Sequence, residues 1–277
     1  MQTSRAWNLG SLFYNGDVDN KPVITSLSNP LVKQARALRQ RKERAESGLF
    51  LIEGIHHVGE AVSANWEIDA ILYAPDTLTS DFGRQLTVRP SLQANLQPVS
   101  AQVMESLAEK DNPQGLLAIA RQRRIQLEEL AQIRSGLAVV SPQDPGNVGT
   151  ILRTLDAVGA GALFLLEGGV DLYHPTSVRA SMGALFSIQV VQTSFAEFIN
   201  WKARGGFQLI GTSSRADTDY RGCKPNSPWI LLLGSEQKGL SSEQLAACDE
   251  RVSLPMRGRA SSLNLAVAAG VLLYQFA

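Results

Sequence analysis

From Leu137 onward the chain carries short runs that are apolar at nearly every position: residues 137–140, 162–166, 207–210 and 229–233. A strand with one wet face alternates polar and apolar residues, whereas a strand apolar throughout is covered on both faces. Helical periodicity fills the intervals, over residues 148–158, 195–201 and 245–247. Alternation of such strands with helices implies a parallel sheet layered between helices. Ligands in sheets of this kind bind at the carboxyl ends of the strands. The loops that follow the apolar runs are therefore where chemistry is expected.

Upstream, the pattern is that of a smaller α/β unit. Asn29-Pro30 opens a helix in which Leu31, Val32, Ala35 and Leu38 share one face and cations occupy the other; Ser47-Gly48 ends it. Strands are expected at 49–52, 70–73 and 116–120, a further strand end at Val99, and helices at 56–64 and 101–108. Residues 1–22 show no lasting periodicity and read as a loose tail. Residues 121–136 are polar, charged and helically spaced, and read as a linker. The expected organisation is thus a tail (1–22), a first domain (23–120), a linker (121–136) and a second domain (137–277).

Charge balances, with 26 basic and 26 acidic residues, but not locally. Lys33, Arg36, Arg39, Arg41, Lys42 and Arg44 face a single acid in their segment, Glu43, and a second cluster is Arg121-Gln122-Arg123-Arg124. Solvated helix faces produce such runs, and so do surfaces that contact nucleic-acid phosphates. No apolar stretch approaches the ~20 residues needed to span a bilayer, and Met1-Gln2-Thr3-Ser4-Arg5 leads into no apolar signal core. Cys223 and Cys248 make neither a disulfide framework nor a zinc pattern. These features predict a soluble cytoplasmic protein with no metal site.

Three loops draw attention. In the first, Ser141 to Thr150 lead into a helix whose buried stripe is Val148, Ile151, Leu152, Leu155 and Val158. Arg153 lies roughly 170° from the centre of that stripe; it is either an ordinary surface arginine or a ligand for phosphate or ribose beside the amide-rich turn. The second loop is Gly234-Ser235-Glu236-Gln237-Lys238-Gly239-Leu240-Ser241. Glu236 stands there at a strand's carboxyl end, as a loop brace or an acceptor toward a ligand, and Ser241 with Gln244 has capping-box spacing. The third loop joins Leu254-Pro255-Met256 to Ser261-Ser262-Leu263-Asn264 and ends in a helix over 265–274 that is apolar on all sides. Ser262 is a candidate N-cap for that helix. A sheet covers one side of a helix only, so a second subunit is expected on the other, with Leu272 at an outward position. No Walker-type Gly-Lys-Ser/Thr, no Gly-x-Gly-x-x-Gly after a strand and no Gly-x-Ser-x-Gly elbow is present.

Taken together, the loops resemble the SpoU (TrmH) family of RNA ribose methyltransferases, within the SPOUT superfamily. The resemblance is carried by Asn147-x-Gly149-x-x-x-Arg153, Arg179-Ala180-Ser181-Met182-Gly183-Ala184, Gly234-x-Glu236-x-x-Gly239-Leu240-Ser241, and Leu254-Pro255-Met256 with Ser262-Leu263-Asn264. Residues 24–33 and 50–54 resemble that family's ribosomal-protein-like RNA-binding domain. The resemblance implies a deep C-terminal trefoil knot, an exception to the usual unknotted chain, and S-adenosylmethionine contacts at Thr212, Gly234, Leu254, Met256 and Leu263. It implies a catalytic set of Asn147, Arg153, Glu236, Ser262 and Asn264. RNA contacts are expected at Lys33, Arg36, Arg39, Arg41, Lys42 and Arg179, and the working unit is expected to be a homodimer. The reaction implied is methyl transfer to a ribose 2′-OH of RNA, of the 23S ribosomal type. A tRNA substrate, or a non-catalytic RNA-binding or assembly factor on the same fold, are the alternatives. The segment Arg257-Gly258-Arg259-Ala260-Ser261, which varies in the family, adds two cations that either meet substrate or stay solvated.

Overall fold

The computed structural model describes residues 21–109 and 113–277; all but the last two residues of the expected tail lie outside that range. The first part of the chain forms α1 (Pro30–Ala37), α2 (Arg41–Ser47), β1 (Leu49–Glu53), α3 (Ile55–Ser63), β2 (Ile68–Tyr73), α4 (Asp81–Thr87), β3 (Leu96–Pro98), α5 (Ala101–Leu107) and β4 (Leu116–Arg121). Its four strands pair in the order β1-β4-β2-β3, with β4 antiparallel to both neighbours and β2 parallel to β3.

The single helix expected after Asn29 is two. α1 ends at Ala37, and the released carbonyls of Leu38 and Arg39 are taken by the guanidinium of Arg44, each at 2.7 Å. Arg44 is therefore not on a solvated cationic face. It is 1% exposed and pairs with Asp171, 127 residues away, at 2.6 Å. A helix end must find acceptors' partners somewhere, and here an inward arginine supplies them.

The rest of the chain forms β5 (Ser135–Val140), α6 (Pro145–Val158), β6 (Ala162–Leu166), α7 (Pro175–Ala180), β7 (Gln189–Thr193), α8 (Phe195–Arg204), β8 (Gln208–Thr212), β9 (Thr218–Asp219), β10 (Trp229–Leu233), α9 (Ser242–Ala246), β11 (Glu250–Ser253) and α10 (Leu265–Phe276). The sheet order is β7-β6-β5-β10-β8-β11-β9, parallel throughout. The four apolar runs are β5, β6, β8 and β10. The edge strands β7 and β9, and β11 with Val252 as its one buried residue, lack the continuous apolar pattern. Between β4 and β5 the helical spacing produces only a short 3-10 turn, Leu127–Glu129, and Ile125 bridges to Val191 on the edge strand β7.

The two sheets share one core. Phe50, Ile52 and Trp66 from the first part pack in a continuous cluster with Leu163, Tyr173 and Phe186 from the second. The Trp66 indole donates to the Phe186 carbonyl at 3.2 Å. The Tyr173 hydroxyl donates to the Arg123 carbonyl at 2.6 Å and accepts from the Arg123 amide at 2.8 Å. Burial raises the Tyr173 hydroxyl well above an ordinary phenol, so it is a neutral donor across the working pH range. Both cysteines are free and buried, and burial pushes their thiols up, Cys223 to about 12 and Cys248 to about 11.

α10 corrects a second expectation. Leu272 and Leu273 both point into the chain's own core, fully buried with Ala269 and Phe276. The outward stripe is instead Val267, Val271 and Tyr274, exposed by 51%, 37% and 67%. Residues spaced four and three apart share a helix face, so these three make one continuous apolar strip. Among the described residues no helix is long and apolar enough to cross a membrane.

Candidate active site

The three loops singled out in the sequence converge at the carboxyl edge of the seven-stranded sheet. β10, β8 and β11 are adjacent there, with Leu232 opposite Gly211 and Val252 opposite Thr212. That register sets Gly234, Thr212 and Leu254 side by side, just past or at the ends of three parallel strands.

The first loop is shaped by Asp144, whose carboxylate accepts from the amides of Gly146 at 2.6 Å and Asn147 at 3.1 Å. Asp before Pro145 is an N-cap followed by proline at the first helical position, a combination readable from sequence although Asp144 was not among the expected site residues. Further along α6, Gly149 lets the helix approach α7. An added Cβ would meet the Ser177 carbonyl oxygen at 2.5 Å and the Ala180 Cβ at 2.7 Å. In the second loop, a Cβ on Gly234 would collide with the backbone of Gly239 and Leu240. The loop closes on itself through the Gly239 amide, which donates to the Ser235 carbonyl at 2.9 Å.

Three side chains from the three loops form one hydrogen-bonded run. Asn264 caps α10, its Oδ1 accepting from the amides of Ala266 at 2.9 Å and Val267 at 3.3 Å. With its oxygen committed to the helix, Asn264 presents Nδ2 to Asn147 Oδ1 at 2.9 Å. Asn147 in turn has its Nδ2 toward Glu236 Oε1, at 3.3 Å. An amide has one accepting and one donating end, so the helix cap fixes the orientation of both asparagines and hands Glu236 a donor. Asn264, not Ser262, is the cap; Ser262 is exposed two residues before it.

Arg153 projects into solvent from α6, and among the described residues nothing hydrogen-bonds or ion-pairs with it. Thr212 is half-buried, its hydroxyl 3.4 Å from the Leu232 carbonyl. Leu254 packs partly against the core, while Met256 and Leu263 leave 36% and 40% of their surface open. These apolar side chains stand beside strand-end backbone polar groups. That mixture suits a ligand with a flat ring and an aliphatic chain, as S-adenosylmethionine has.

The expected RNA contacts are only partly available. Arg39 donates to the carbonyls of Leu107 and Ala108 at the end of α5, both at 2.7 Å, and Arg36 reaches Ser106 at 3.3 Å. Arg179 pairs with Glu109 at 2.9 Å. Lys42 faces Glu46 across a helical turn at 3.8 Å, and Arg41 lies 3.3 Å from the Gly169 carbonyl. Lys33 is exposed on α1.

Comparison with known proteins matches this arrangement. Residues 135–274 fit the sequence profile of the SpoU rRNA Methylase family, and residues 29–118 that of the MRM3-like substrate binding domain. The chain is 34% identical to a 23S rRNA (uridine(2479)-2'-O)-methyltransferase of Streptomyces viridochromogenes, over 91% of this chain and 90% of that protein. It is 31% identical to the 23S rRNA (guanosine(2553)-2'-O)-methyltransferase RlmP of Bacillus subtilis, over 91% and 97% respectively. Among solved structures, the AdoMet-bound rRNA methyltransferase from Sinorhizobium meliloti superposes with a TM-score of 0.83 at 34% identity, covering 92% of this chain and 96% of that one. Both the shape of the whole chain and the sequence of its catalytic half place it in one lineage: it belongs to the SpoU rRNA methylase family.

Proposed function

We propose that this chain is an S-adenosylmethionine-dependent methyltransferase that modifies a ribose 2′-OH of 23S-type ribosomal RNA in the cytoplasm. The observation that carries the reading is the run Glu236–Asn147–Asn264, which ties the three family motifs into one polar cluster at the ends of the central strands. The chain's division into a substrate-binding part (23–120), a linker (121–136) and a catalytic part (137–277) belongs to this reading. So does a knotted C-terminus, supported by the placement of β10 between β5 and β8.

When bound, S-adenosylmethionine supplies a methyl group already activated on a sulfonium. The protein's task is then mainly alignment of the 2′-oxygen, which lowers the barrier by removing the entropy of encounter. Thr212, Gly234, Leu254, Met256 and Leu263 hold the donor. Asn147, its amide orientation dictated by Asn264, and the acceptor Glu236 orient the ribose, with Ser262 at the rim. Arg153 stays protonated at any working pH, so it clamps the adjacent phosphate and orients the 2′-OH, whose proton leaves to phosphate or water.

Ribosomal RNA from a strain lacking this gene, incubated with the protein and methyl-tritiated S-adenosylmethionine, tests the reading. Label in alkali-resistant dinucleotides is expected, because a 2′-O-methyl group removes the hydroxyl that alkaline cleavage requires. Label in tRNA alone would move the substrate, and donor binding with no label in either RNA would leave a non-catalytic RNA-binding factor.

The strip Val267, Val271 and Tyr274, continuous in sequence with exposed Leu263, supports a homodimer sealed along α10. Burial of each large aliphatic stabilises by roughly 1.5–3 kcal/mol. Val267→Asp is expected to yield monomers in light scattering and to lose methyl transfer with association. A fully active Val267→Asp monomer would refute the interface.

A further inference from the structure

A cleft of about 410 Å³ opens along the seam between the two sheets, away from the polar run described above. Its volume falls within the range of about 300–1,000 Å³ common to small-ligand sites. Four arginines and one aspartate line it: Arg41, Arg44, Arg123, Arg124 and Asp171. Arg44 and Asp171 neutralise each other as a buried pair. Arg123 lies flat on Trp66, 4.5 Å from the ring centroid, with its Nη2 on the carbonyls of Ala64 and Asn65. Arg124 is exposed and, among the described residues, makes no hydrogen bond or ion pair; Arg41 has only the long contact to Gly169. The cleft therefore carries three cations with no carboxylate of its own left to balance them.

Its remaining lining is of a different kind. Leu172 and Val190 are buried and Ile125 and Val170 half-buried, while Gln192 is exposed. An apolar floor, a free amide and a cationic rim match the parts of a nucleotide: base, base edge and phosphate. RNA recognition commonly takes up an unstacked base in this way, and phosphates take arginines.

The wall of the cleft also leads to the candidate active site. The segment after β6 runs from Glu167 through Gly169 to Tyr173. Gly169 sits against the Pro142 carbonyl so closely that a side chain there would collide with it, and the Ser141 hydroxyl donates to the Glu167 carbonyl at 3.1 Å. One face of this segment lines the cleft, and the other braces the loop that carries Asn147.

We propose that the interdomain cleft holds an unstacked nucleotide of the RNA substrate, its phosphate at Arg41 and Arg124 and its base over Ile125, Val170 and Leu172. The proposal rests on RNA being the partner, as in the reading above. It absorbs the cluster Arg121-Gln122-Arg123-Arg124, whose middle members otherwise have no role in the site.

The test measures binding of ribosomal RNA from the deletion strain by fluorescence anisotropy across a salt series, separately from methyl transfer. Arg41→Gln with Arg124→Gln, both exposed and outside the core, should weaken binding about tenfold. The log–log salt slope should fall by about 1.4, at 0.7 per phosphate lost from a single strand. S-adenosylmethionine affinity by calorimetry should stay the same. Val170→Trp, which fills the floor without changing charge, should weaken binding and leave the slope unchanged. Wild-type affinity and slope in the double variant, with Val170→Trp also neutral, would overturn the cleft even if the protein methylates RNA normally. Wild-type protein that binds RNA through the cleft but transfers no methyl group would leave the cleft standing and remove the catalytic reading.

Discussion

Arg153→Ala is expected to slow single-turnover methyl transfer by about 10²–10³-fold, the range seen when one charge-stabilising donor is removed from an active site. Folding stability and S-adenosylmethionine affinity should stay within error and within about threefold, respectively. Both parts of the expectation come from where the side chain is. It leaves α6 on the side opposite Val148, Ile151, Leu152 and Leu155, all fully buried, and touches no described partner that its loss would leave unsatisfied. Asn264→Ala makes a useful contrast. It too should lower turnover, since it releases the amide of Asn147, but it also removes the cap of α10, at a cost of about 1 kcal/mol. Quenched-flow transfer assays beside urea denaturation separate the two patterns. A near wild-type rate for Arg153→Ala would remove Arg153 from the chemistry.

Arg44→Met should be the most destabilising single change among the cations of the basic segment, by about 3–5 kcal/mol in urea unfolding. Removing one member of a buried ion pair leaves the other charge uncompensated, and here the carbonyls of Leu38 and Arg39 lose their donor as well. Asp171→Asn in the Arg44→Met background should recover part of the loss, because it removes the stranded carboxylate. Lys33→Met, on the exposed face of α1, should change stability by less than about 0.5 kcal/mol. Equal effects at Arg44 and Lys33 would mean that the pair contributes nothing to the fold.

The contrast between those two cations shows where sequence reading stops. In the sequence Arg44 is one of six cations in a row of similar spacing, and its inward turn depends on Asp171, which no local pattern points to. The same limit applies to the site. The outward direction of Arg153 follows from helical periodicity alone, because it needs only the residues of α6. The bonds from Asn147 to Glu236 and Asn264 span 89 and 117 residues, and only the motif resemblance brought those three together beforehand. Among the strands, β5, β6, β8 and β10 announce themselves because both faces are covered. β7, with Gln192 open to solvent, and β11, with Val252 as its buried residue, do not. On α10 the all-apolar composition concealed which face is inward: periodicity cannot orient a helix that has no polar side, and only the packing of Leu272 and Leu273 against the sheet does so.

The core common to both sheets has a mechanical consequence. Domains joined by small polar contacts swing by default, and a large apolar seam removes that freedom. Phe50 and Trp66 on one side and Tyr173 and Phe186 on the other make such a seam, pinned at its edge by Arg44 and Asp171. The surface that grips RNA and the loop that carries Asn147 are thus held at a constant separation, like the jaws of a fixed gauge. Selection of the nucleotide then falls to the RNA: the ribose that is modified is the one whose distance from the gripped element equals the gauge, and an RNA whose folding shortens or lengthens that distance presents the wrong residue or none.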